Sequence, residues 1–114
     1  MCFLIGKNGE ILYADFSQSP TAMPDKRQRW QAVWNNRENL AEIAHSHPLG
    51  GSRFSQEDET TMAALDLALG QAMRYSVVTP EEIRVRQGDE EFMLEEVPWW
   101  VALMRLASGV LEKE

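Results

Sequence analysis

The sequence predicts an α/β fold, a mixed sheet flanked by helices, from three observations. Short apolar runs are bounded by turn residues, apolar positions recur at helical spacing between them, and the two kinds of segment alternate along the chain. The length of 114 residues fits a single domain over 1–114, with 44% hydrophobic and 25% charged residues as in ordinary globular chains. Cys2-Phe3-Leu4-Ile5, ending at Gly6, and Ile11-Leu12-Tyr13-Ala14 flank Lys7-Asn8-Gly9. Asn-Gly accepts the positive φ of a tight reversal, so these runs read as a β-hairpin. Ser17 to Pro24, with two prolines and three Ser/Thr, marks a loop. A helix follows from Asp25, its cap, to about Asn36, with Trp30, Val33 and Trp34 as the buried stripe.

Leu40 to His47 reads as a strand with Ala41, Ile43, His45 and His47 on one face and Leu40, Glu42, Ala44 and Ser46 on the other. Pro48 ends regular pairing, and Leu49 to Phe54, with Gly50-Gly51, connects to a helix from Ser55 to about Gln71. Met62, Leu65, Leu69 and Met73 supply its packing face, and Gly70 marks its end. Tyr75 to Thr79, Ile83 to Arg86 and, after the Gln87-Gly88-Asp89 turn, Phe92 to Val97 read as three further strands. Pro98 opens a last helix with an apolar stripe of Trp99, Leu103, Leu106 and Val110, weakened at its end by Gly109. The order β-β-α-β-α-β-β-β-α gives a sandwich of two or three layers.

Composition narrows the function classes. With 11 Lys+Arg against 18 Asp+Glu the formal charge is -7, which argues against a phosphate-backbone binder, so no nucleic acid is expected as partner. No apolar run approaches the roughly 20 residues of a membrane helix, and no signal-peptide pattern opens the chain, so no membrane association is expected. The single cysteine, Cys2, excludes an intramolecular disulfide framework and a cysteine-rich zinc site; it reads as a small buried hydrophobe in a reducing, cytoplasmic setting.

The chemistry concentrates in one segment, His45-Ser46-His47, then the seven residues Pro48 to Phe54, then Ser55-Gln56-Glu57-Asp58. Histidines two apart on a strand project to one side, their backbones separated by roughly 6 to 7 Å. Asp58, in the first turn of the next helix, can return a carboxylate to the same point because the glycine loop lets the chain reverse. Two neutral imidazoles and a carboxylate are the protein ligands of a catalytic zinc site, which acidifies a water and polarises a carbonyl. A general base, usually a carboxylate, completes such chemistry. The same set also serves other divalent ions. Ser55 has a second reading as the helix N-cap, and Glu57 and Glu59, favoured by the helix dipole, read as solvent-facing. Trp99 and Trp100, being adjacent, cannot share one helix face.

The run H-S-H-P-L-G-G-S-R-F-S-Q-E-D closely resembles the JAMM (MPN+ or JAB) metalloprotease motif of prokaryotic type, matching it at His45, His47, Pro48, Ser55 and Asp58. The resemblance implies a cytidine-deaminase-like JAB/MPN fold with Zn2+ held by His45, His47 and Asp58, and Ser55 as a catalytic residue that positions water or stabilises an oxyanion. It implies hydrolysis of a peptide or isopeptide bond in a protein or peptide substrate of ubiquitin-like or sulfur-carrier type, whose extended tail could add along a sheet edge. The family's glutamate base lies upstream in a run reading approximately E-x-x-G-x-x-x-G. Aligning Gly6 with the final glycine places that glutamate, and the helix before it, ahead of Met1. Glu10 is the nearest substitute, although it follows the Asn8-Gly9 turn at the far end of the strand; Glu42 faces away from the histidines. The alternative is a catalytically silent domain that binds zinc or a protein partner. Nucleobase deamination is disfavoured because the P-C-x-x-C ligand pair is missing.

Overall fold

A computed structural model describes residues 1–15, 27–47 and 51–108. Nine elements follow in the expected order: β1 (Cys2–Gly6), β2 (Ile11–Asp15), α1 (Arg27–Asn35), β3 (Leu40–Ser46), α2 (Gln56–Leu69), β4 (Arg74–Val78), β5 (Ile83–Gln87), β6 (Glu90–Met93) and α3 (Trp99–Ser108). The expected loop from Ser17 to Pro24, the Asp25 cap, Pro48 and the start of the Leu49 to Phe54 connection, Gly109 and Val110 lie outside the described residues.

The strands form one six-stranded sheet in the order β2-β1-β3-β4-β5-β6. All neighbours are antiparallel except β3 and β4, which run parallel with Ile43 opposite Tyr75 and His45 opposite Val77. Parallel neighbours need a crossover, and α2 is that crossover, so β3, α2 and β4 make a βαβ step inside an otherwise antiparallel sheet. The β1–β2 hairpin turns at Gly9, whose φ of 81° is the left-handed conformation that the Asn8-Gly9 pair anticipates. Gly70 ends α2 in the same conformation, its amide donating to the Asp66 carbonyl. Asp66 also ties this helix end to β4 by accepting from the Met73 amide at 3.0 Å and the Tyr75 hydroxyl at 2.7 Å.

Strand alternation divides the interior into two cores, one on each side of the sheet. Cys2, Leu4, Ile43 and Tyr75 pack with Val33 of α1 and Met62 of α2, while Phe3, Ile5, Ala44, Val78 and Val85 pack with Trp100, Val101 and Met104 of α3. The molecule is therefore a three-layer sandwich, which resolves the choice between two and three layers. Cys2 is fully buried, as expected.

Three details differ from the sequence-based expectations. The buried face of α3 is Trp100, Val101 and Met104, whereas Trp99, Leu103 and Leu106 are exposed. This helix is apolar nearly all round, so periodicity alone offers two equivalent stripes; the sheet selects one through the edge-on contact of Trp100 with Phe3 at 6.3 Å. In α1 only Val33 of the expected stripe is fully buried, and Trp34 is exposed beneath the Arg37 guanidinium, 3.9 Å from its ring centroid. The buried place next to Val33 goes to Arg29, whose guanidinium donates to the Asp15 carboxylate and so fastens α1 to the end of β2. The last strand covers Glu90–Met93 rather than Phe92 to Val97. Gly88 makes a tight turn that pairs Glu90 with Gln87 at once, and β5 begins only at Ile83, whose carbonyl accepts from the Leu94 amide, so later residues have no strand residue of β5 to pair with.

This division of α3 has a measurable consequence. Met104→Ala removes a fully buried side chain and should cost about 2–5 kcal/mol. Leu103→Ala, on the exposed stripe, should stay within about 0.5 kcal/mol of the parent. Urea denaturation midpoints separate the two, and equal losses would return the buried face to the Leu103 stripe.

Candidate metal centre

The centre forms at the carboxyl end of β3, where the sheet direction changes and where ligands gather in open α/β sheets. His45 projects from β3 toward the face carrying α1 and α2, the face shared with Ile43. His47 lies one residue past the strand, held in register by its amide N–H, which donates to the Val78 carbonyl at 2.9 Å. Asp58 arrives from the first turn of α2. Both histidines are 2% exposed and Asp58 is fully buried.

The three side chains converge through single atoms. His45 Nε2 lies 3.0 Å from His47 Nε2 and 3.3 Å from Asp58 Oδ2, and His47 Nε2 lies 3.6 Å from the same oxygen. Metal–ligand bonds of about 2.0–2.1 Å in a tetrahedron place ligand atoms about 3.3 Å apart, so the three separations bracket the spacing that zinc requires. Proton placement supports the same reading. His47 Nδ1 lies 3.1 Å from the Gly51 carbonyl, which can only accept, so Nδ1 carries a proton and, in the neutral ring, Nε2 is left as the atom that can ligate an ion at the centre. Asp58 Oδ2 is an acceptor and already receives the Ser55 amide at 3.0 Å. Electron-rich atoms this close are stable only with a cation or a shared proton between them. His45, His47 and Asp58 are the one such group of possible metal ligands among the described residues.

The electrostatics fit metal ligation. Burial pushes the Asp58 carboxyl upward, but hydrogen bonds with His45 and His47 and the Ser55 amide outweigh it and hold the group well below the usual carboxylate range. Burial, only partly countered by Asp58, holds His45 below the ordinary imidazole value, so its neutral form is favoured. His45 Nδ1 is the only buried side-chain nitrogen or oxygen without a hydrogen-bond partner among the described residues. Such an atom costs about 1–3 kcal/mol, a cost that an apolar side chain at this position would not carry.

Ser55 is the N-cap of α2: its Oγ accepts from the Asp58 amide at 3.0 Å while Asp58 closes the capping box through the Ser55 amide. The cap consumes acceptor capacity only, so the Ser55 hydroxyl proton stays available to a ligand. Neither alternative base stands at the centre. The Glu10 carboxylate folds over Gly6 and accepts from the Asn8 amide at 3.0 Å, four strand residues or about 13 Å along β1 from the position paired with His45. Glu42 is on the opposite face, buried against the Ser76 hydroxyl with Arg74 3.7 Å away. Glu59, expected to face solvent, has a side chain 44% exposed and also makes a two-pronged pair with Arg86 at 2.6 and 2.7 Å.

Sequence reasoning did not find the surrounding support: the Gly51 carbonyl, Ser52, and the two arginines of β5. The alternation Ile83-Arg84-Val85-Arg86 was its one trace, and only the fold supplies the partners.

A strand-end histidine pair and a helix-start aspartate, gathered beside a βαβ step, define an α/β domain able to hold a divalent metal ion. The chain belongs to the prokaryotic homologs of the JAB domain, whose family model matches residues 1–95. No curated protein and no solved structure gives a significant match. Among the described residues no helix is long and apolar enough to cross a membrane.

The protonation state of His45 sets a pH dependence for the metal-free protein. The unfolded chain takes up a proton at the ordinary value of about 6.5, while the folded site resists it, so stability falls as pH drops below about 6.5. Asp58 is likewise held in its deprotonated form, and its contribution is lost only below about 3.9, outside that window. Urea midpoints at about pH 8 and about pH 5.5 should therefore differ more in the parent than in His45→Asn. An equal difference in the two proteins would show that His45 does not set the slope.

Proposed function

We propose that this chain is a zinc-dependent hydrolase domain that cleaves a peptide or isopeptide bond in an extended protein tail of ubiquitin-like or sulfur-carrier type. One observation carries the reading: His45 Nε2, His47 Nε2 and Asp58 Oδ2 meet, buried, at tetrahedral ligand spacing. Zinc in that position supplies a Lewis acid that acidifies water and polarises a carbonyl. His45 and His47 serve as neutral ligands, and Asp58 as the anionic one. The Gly51 carbonyl keeps His47 in the required tautomer. Ser55, with its hydroxyl proton uncommitted, donates to the substrate oxygen that gains negative charge. The sheet edges at β2 and β6 offer backbone groups along which an extended tail can add.

A second reading, a metal-binding domain without hydrolytic activity that serves an assembly, is favoured by the placement of Glu10 and Glu42 away from the centre. Elemental analysis and hydrolysis assays on the same preparations decide between them. Protein purified without chelator should hold about one zinc per chain, and Asp58→Ala and His47→Ala should lose it. Turnover of linear and isopeptide-linked substrates by the parent, abolished in His47→Ala, supports the hydrolase. Zinc without turnover supports the silent domain, and absence of metal in the folded parent refutes both as metal-centred readings.

A further inference from the structure

We infer that Arg84 and Arg86 of β5 are positioning residues for the metal ligands, Arg84 acting on His47 through Ser52 and the Gly51 carbonyl, and Arg86 acting on Asp58 through Glu59. This rests on the metal-centre reading above and extends it to residues two strands away.

Register puts both arginines on the ligand face. Arg84 lies opposite Val77, which lies opposite His45, and Arg86 lies opposite Tyr75, which lies opposite Ile43. Ile83 and Val85, which alternate with the arginines, turn to the α3 core. Arg84 is thus about 9.6 Å across the sheet from the ligand strand, too far to touch the centre but within reach of the loop that follows it. Its Nε donates to Ser52 Oγ at 3.1 Å, and that hydroxyl donates to Glu82 Oε2 at 2.5 Å. Ser52 is only 2% exposed, so its hydroxyl is locked between a cation and a carboxylate with no rotational freedom left. The residue before it is Gly51, whose carbonyl takes the His47 Nδ1 proton. A glycine has no side chain with which to hold its own peptide plane, and the Ser52 latch holds it instead.

Arg86 performs the equivalent task for the helix. Its guanidinium grips both oxygens of Glu59, the residue next to Asp58 in the first turn of α2, and lies 5.2 Å from the centroid of the Phe54 ring just ahead of that turn. Glu91 of β6 joins the arginines, accepting from Arg84 at 3.0 Å and from Arg86 at 2.7 Å. The two arginine side chains are about a quarter exposed, at 25% and 24%, where ion pairs add little to global stability. Their value lies in orientation: partners behind a ligand commonly set metal affinity by 10–100-fold.

The test uses the full chain. At about pH 8, nitrogen–proton correlation spectra of the metal-free protein report which His47 nitrogen bears the proton. The parent should show the Nδ1–H form, and Ser52→Ala and Arg84→Gln should each convert part of it to the Nε2–H form. Zinc affinity, read by competition with a chromophoric chelator, should fall about 10–100-fold in these variants and in Arg86→Gln, with metal-free thermal midpoints near that of the parent. Arg86→Gln should leave the His47 tautomer unchanged, because it acts through Asp58. An unaltered tautomer in both latch variants, or affinities within about threefold of the parent in all three, overturns the inference. A parent that binds no zinc while Ser52→Ala still shifts the tautomer refutes the metal reading and leaves the latch standing.

Discussion

Three electron-rich atoms held 3.0 to 3.6 Å apart under a sheet repel one another unless a cation or a shared proton lies among them, and most of the surrounding structure serves to keep them there. The register of β3 against β4 sets His45 and His47, the capping box of α2 sets Asp58, and the Gly51 carbonyl decides which lone pair His47 presents. None of these devices is strong alone; net hydrogen-bond contributions are about 1 kcal/mol each. Together they leave the three side chains few alternative arrangements, which is how a small domain can prepare a cation site before any cation arrives.

The sheet explains why the site is where it is. Antiparallel hairpins on either side would suffice to cover two helical layers, but the single parallel pair forces a crossover, and a crossover brings a helix N-terminus back over the strand end. An anionic side chain at that N-terminus is stabilised by the helix dipole, so Asp58 can be buried and charged at the same time. Family membership covers residues 1–95, which includes every strand and every metal-ligand candidate; α3 lies beyond that match and supplies one whole outer layer. The centre and the core beneath α3 are thus on opposite faces of the sheet, and changes to one should reach the other only through β3 and β4.

Much of this was legible in the residues. The nine elements and their order, the histidine pair on one strand face, the aspartate in the next helical turn and the turn glycines Gly9 and Gly70 all follow from local periodicity and local backbone preference, which act over a few residues. What local pattern could not reach was the choice among equivalent alternatives. The apolar helix α3 has two stripes of similar hydrophobicity, and only contact with Phe3 selects Trp100 over Trp99. Trp34 looked like core because aromatic residues usually are, but the ion pair with Asp15 gave the interior place to Arg29. Glu59 is solvent-facing as its helix-start position suggests, but its pairing with Arg86, 27 residues away, leaves no local trace. Ser55 carries two readings in the sequence, and the structure establishes the capping one while leaving its proton uncommitted.

The capping box joins two things that are usually separate. In most helices the residue that closes the cap serves only the helix, whereas here the Asp58 oxygen that receives the Ser55 amide is also the one facing both imidazoles. Fraying of the first turn of α2 and dismantling of the ligand cluster are therefore one event with one free energy. An ion seated among the ligands would slow hydrogen exchange at the Asp58 amide, and any partner that pries open that turn would expel the ion without touching it.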